Sequence, residues 1–146
     1  MRRLDSVEHA KALLTEAKGW GTWTWLTEKR RVRAAADAAW VDLEEVEKEI
    51  KASWGDELRK AYRELQSPTA KHREEARDVD PEMKAFAARL KQEDDEAFQA
   101  RMTAEETFDE AERKMSVPLA QQGSDQAVQA FEMREKFIRK AEAARK

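Results

Sequence analysis

Residues 36–65 read ADAAWVDLEEVEKEIKASWGDELRKAYREL, and the phase of their apolar residues decides the fold. Ala36, Trp40, Leu43, Val46, Ile50, Trp54, Leu58, Ala61 and Leu65 make eight steps over 29 residues, or 3.6 per step, the period of one helical face. Upstream, the Gly19-Trp20-Gly21 turn leads to Thr22 and Thr24, either of which can cap the helix; downstream, Ser67-Pro68 ends it. The spacing therefore predicts one long helix over 22–67. Gly55 leaves a second reading open, a break with Ser53 or Asp56 as the new cap. Continuity is preferred because Ile50, Trp54 and Leu58 stay in phase across the glycine, whose cost inside a helix is only about 1 kcal/mol.

The remaining segments are helical too. Asp5 or Ser6 caps a first helix whose face is Val7, Ala10, Leu14 and Ala17, so residues 1–21 form an N-terminal helix and turn. Residues 68–80 form a polar connection with a short helix over 69–78. Asp80-Pro81 opens a second long pattern through Met83, Phe86, Leu90, Ala97, Phe98, Met102, Phe108 and Met115, giving 81–117. Thr103 stands at capping-box distance from Glu106, so this stretch reads as one helix or as two joined near Thr103. Gly123-Ser124-Asp125 reads as a stop and a fresh cap within the C-terminal helical segment 118–146, whose face carries Val128, Phe131, Phe137, Ile138 and Ala141. The expected fold is a single all-α domain, an elongated bundle centred on an antiparallel hairpin of 22–67 against 81–117, with the terminal helices packed along it.

Composition fits that reading and adds a constraint. Leu, Ile, Val and Phe supply only 23 of 146 residues, while charged residues make up 40% at a net charge of −3. So thin a core favours sharing apolar faces with a second copy, and a homodimer or another helical protein is the expected partner. Charge is segregated: residues 1–33 hold eight bases and four acids, residues 81–117 six bases and ten acids. Basic ends can neutralise the acidic middle by packing on it, or engage an anionic partner. With no cysteine there is neither a disulfide nor a thiolate site. Met1-Arg2-Arg3 could open a secretory signal, but the polar stretch from Asp5 to His9 follows, and no apolar run reaches the length of a membrane span. A cytoplasmic protein is expected.

Two groups of residues stand out as candidate surfaces. Trp40, Leu43, Val46, Ile50, Trp54 and Leu58 share one stripe, with the two tryptophans four turns apart; the stripe is either core or a docking face for another helix. Trp20, Trp23 and Trp25, followed by Lys29, Arg30, Arg31 and Arg33, combine stacking rings with phosphate-neutralising bases, the ingredients of a nucleic-acid patch. The same tryptophans read equally well as an aromatic plug at one end of the bundle, and a membrane-interface contact is a third reading.

No constellation carrying chemistry appears. A carboxylate-bridged iron site needs Glu-x-x-His pairs, yet Ser6 and Thr69 stand three residues before His9 and His72. Asp78 and Asp80 lack the rest of a calcium loop. Glu44-Glu45 and Asp94-Asp95-Glu96 read as solvated acidic faces. No metal, cofactor or catalytic residue is assigned. The expectation is a non-enzymatic, self-associating helical protein that scaffolds or regulates through helix–helix contacts, with a nucleic-acid-associated protein as the alternative.

Overall fold

The computed structural model of the chain describes residues 4–144. Among these there are six helices and no strand: α1 (Asp5–Ala17), α2 (Thr22–Ala52), α3 (Asp56–Gln66), α4 (Ala70–Ala76), α5 (Pro81–Lys114) and α6 (Val117–Ala143). The fold is all-α. Met1-Arg2-Arg3 and the final residues 145–146 of the expected C-terminal helix lie outside the described residues.

Local chemistry accounts for the starts of α4, α5 and α6. The Thr69 side chain accepts from the His72 N–H at 3.1 Å and Asp80 Oδ1 from the Glu82 N–H at 2.8 Å, with Pro81 in the first turn of α5. Ser116 accepts from the Leu119 N–H at 3.3 Å, with Pro118 in the first turn of α6. Between them Met115 turns the chain in the left-handed region, φ 53° and ψ 42°, and the Ser116 N–H closes back on the Ala111 carbonyl at 2.9 Å. α1 does without a side-chain cap, so Ser6 is free to bond elsewhere: its hydroxyl donates to Asp42 at 2.5 Å, docking α1 on α2.

Three expectations about the long helices need correction. The helix over 22–67 is broken: α2 ends at Ala52, Ser53 caps it, and α3 restarts at Asp56 after Gly55, which has φ −63° and ψ 158°. Tertiary bonds explain the break, because the Trp54 indole N–H donates to the Ala141 carbonyl of α6 at 2.9 Å and the Trp54 ring meets Tyr62 edge-on at 5.1 Å. The stop at Gly123 does not occur either, since α6 runs through it. Gly123 is buried where the two helices press together: a Cβ there would lie 3.1 Å from the Phe108 ring, so the glycine serves a close approach and not a helix end. α5 is continuous through Thr103, whose carbonyl accepts from the Thr107 hydroxyl at 2.9 Å, as one helix of 34 residues or about 50 Å.

The third correction concerns which helices pair. The most extensive close packing is between α5 and α6, not between 22–67 and 81–117. Small residues make it possible: Ala97, Ala104 and Ala111 follow Leu90 at steps of seven on α5, Ala120 and Ala127 stand seven apart on α6, and all are buried. α2 lies against this pair, with Trp40 stacked on Phe131 of α6 at 4.3 Å between ring centres. It reaches α5 through long side chains, Arg33 to Asp109 and Glu112 at 3.1 Å each and Arg101 to Glu44 at 2.8 Å. α1 packs on α2 and α6, α3 on α5, and α4 on α3.

Candidate functional site

One polar cluster joins four helices where α2, α3, α5 and α6 meet. Asp94 of α5 lies at its centre, in phase with Leu90 and Ala97, which turns it inward. Arg134 of α6, only 8% exposed, donates to Asp94 Oδ1 at 2.6 Å and lies 3.4 Å from Glu47 of α2. Lys51 of α2 bridges Glu47 at 2.8 Å and Asp94 at 3.5 Å, with its ammonium 4.8 Å from the Tyr62 ring centre. From α3 the Tyr62 hydroxyl donates to Asp94 Oδ2.

The electrostatics follow from this geometry. Burial alone would raise the Asp94 pKa, but hydrogen bonds from Tyr62 and Arg134 and the charges of Lys51 and Arg134 outweigh it, so the carboxyl is held below its ordinary range. Burial pushes the Tyr62 phenol far above its usual value of 10.0, reinforced by its bond to Asp94. A carboxylate locked in its ionised form and a phenol locked in its neutral form make a clamp, because neither exchanges a proton near neutral pH. Asp94 thus departs from the solvated acidic face expected of Asp94-Asp95-Glu96. Its phase with the Leu90–Ala97 stripe was the available signal.

The tryptophan stripe is closed inside the chain. Trp40, Leu43, Val46, Ile50, Trp54 and Leu58 are each at most 5% exposed, so as folded they form core and are not offered to a partner. The tryptophan-rich turn and the bases after it come apart as a surface. Trp20 and Trp25 are buried, the Trp20 carbonyl accepting from Gln121 at 2.9 Å and Trp25 packing with Ala111 and Ala120; only Trp23, 78% exposed, faces outward. Lys29 lies 5.2 Å from the Trp25 ring centre, Arg31 pairs with Glu28 at 2.7 Å, and Arg33 with α5 as above. Arg30 has no ion pair among the described residues. The three tryptophans and four bases do not form one anion-binding face.

Beside the clamp lies a recess of about 290 Å³ lined by Trp40, Lys51, Asp94, Phe98, Arg101 and Arg134 among others, where every charged group has an opposite partner within the chain. A wider opening lies elsewhere. A groove of about 610 Å³ is floored by Leu58, Met83 and Phe86 and edged by Gly55, Asp56, Glu57 and Glu82. It shares Phe86 and Ala143 with a second groove of about 530 Å³ that continues past Arg89, Leu90 and Lys140. No group of three or more metal-ligating side chains occurs among the described residues, and none of their helices is long and apolar enough to cross a membrane. Compared with known proteins, the chain matches no family model, no curated protein and no solved structure.

Proposed function

We propose that the protein is a non-enzymatic helical interaction protein that associates with a second copy of itself and acts as a scaffold or regulator through helix–helix contacts. The observation that supports this best is the open groove in which Met83 and Phe86 are only half-buried above the core residue Leu58, and whose size and lining suit the side chains of a helix. The ionisable groups of the interior favour the same reading, because Glu47, Lys51, Tyr62, Asp94 and Arg134 satisfy one another and hold the helices in place. With the Trp40–Leu58 stripe taken up as core, the groove carries the association. Absolute mass by light scattering over a wide concentration range tests it. The expected result is a species of twice 16.9 kDa that grows with concentration; a mass of 16.9 kDa throughout would overturn the reading.

A further inference from the structure

The break between α2 and α3 is unlike the other interruptions of the chain, because nothing in the backbone of Gly55 requires it and only the tertiary contacts of Trp54 hold it bent. Gly55 has a helical φ of −63°, and only its ψ of 158° departs from the helix. A Cβ at Gly55 would meet nothing within 4 Å. The apolar register also crosses the break undisturbed, with Ile50, Trp54, Leu58 and Ala61 all buried at helical spacing. The same sequence is therefore compatible with a bent junction and with one straight helix from Thr22 to Gln66.

The contacts across the junction divide the molecule in two. On one side α1 and α2 are tied together by Ser6 and Asp42. On the other, α3 packs on α4 and α5, and α5 on α6. Between the halves run Trp40–Phe131, Lys11–Glu135 at 2.7 Å, Lys18–Asp125 at 3.3 Å, Arg33–Asp109 and the Arg134–Glu47 pair. Each of these can be made equally well by the same residues of another copy.

We propose that Ser53–Gly55 is a hinge about which two copies exchange their α1–α2 halves, so that α2 and α3 straighten into one helix and each α2 packs on the α6 of its partner. This rests on the self-association proposed above and names its mode. Exchange re-forms the contacts just named between copies, gives up the Trp54–Ala141 bond that holds the bend, and adds the backbone hydrogen bonds that a continuous helix makes across residues 53–58. The groove over Leu58, Met83 and Phe86 borders the hinge itself, since Gly55, Asp56 and Glu57 line it.

The test uses the absence of cysteine from the chain. Lys11→Cys and Glu135→Cys copies are mixed, unfolded, refolded together at high concentration, and treated with a short bis-maleimide. Exchange predicts a crosslinked heterodimer joining the two different copies. Gly55→Ala, which favours the straight helix about fivefold per hinge, tightens the dimer roughly 25-fold for two hinges. Gly55→Pro, whose fixed φ suits the bent junction but not a helix interior, leaves the chain monomeric. A dimer that forms without crosslinking between copies, or equally well with Gly55→Pro, overturns the exchange while leaving self-association intact. A chain that is monomeric at every concentration removes both.

Discussion

The α2–α3 junction and the α5–α6 seam each contain one glycine, and the two behave oppositely. At the junction Gly55 sits in open space beside a break; in the seam Gly123 is buried in an unbroken helix against Phe108. What decides between bend and continuity is the tertiary partner. Trp54 is drawn aside to a carbonyl of α6, whereas the lack of a side chain at Gly123 lets α6 lie close to α5. A glycine is thus read by what would touch its Cβ, and its local propensity is the weaker guide.

The largest effect that would sharpen this contrast is Gly123→Val. Its branched side chain would force α5 and α6 apart, and an expected loss of about 3 kcal/mol should appear as a lower midpoint in denaturant unfolding. Gly55→Val, with room around it, should change stability by no more than about 0.5 kcal/mol. Equal losses at the two sites would break the comparison.

Tyr62→Phe comes next, removing a hydrogen bond that fastens α3 beyond the junction, with an expected cost of about 1 kcal/mol. It also carries a pH signature. The Tyr62 pKa is raised in the folded state, so its contribution is present below the unfolded value near 10 and fades as pH rises above it; Phe should abolish that alkaline fall. Asp94 has the opposite sign. Its pKa is lowered on folding, so stability is present above the ordinary carboxylate range and is lost as pH falls below it, and Asp94→Asn should flatten that acid limb. Thermal unfolding from acid to alkaline pH reads both.

Smallest is Trp23→Ser at the exposed end of α2, where a change within about 0.5 kcal/mol is expected. Because Trp20 and Trp25 are buried and Lys29, Arg31 and Arg33 are engaged by their own chain, adding single-stranded nucleic acid at low salt should leave the tryptophan fluorescence essentially unchanged.

Much of the fold was legible because it is local. Apolar phase gave the helical character, and Asp80-Pro81 lies where capping chemistry puts a helix start. The misread features depend on residues far apart in the chain. The Trp54–Ala141 bond spans 87 positions, and the need for glycine at 123 arises only when Phe108 lies against it. Small side chains weigh little in an apolar-phase pattern, yet the seven-residue spacing of Ala97, Ala104 and Ala111 lets α6 take the place expected for residues 22–67 beside α5. In the candidate site, the clamp could have been found from Asp94 in phase with Leu90. The dispersal of the anion patch could not, because the acids that occupy Arg33 belong to another helix.

Amide hydrogen exchange of the native chain, resolved at residues 53–57 and 120–127, tests the contrast most directly. The first N–H groups of α3 have no side-chain cap, whereas Gly123 and its neighbours lie beyond the first turn of α6, hydrogen-bonded within the helix and buried against α5. Fast exchange at Gly55–Glu57 together with slow exchange at Gly123–Ala127 is the expected result. Strong protection across Gly55 with rapid exchange at Gly123 would contradict the account.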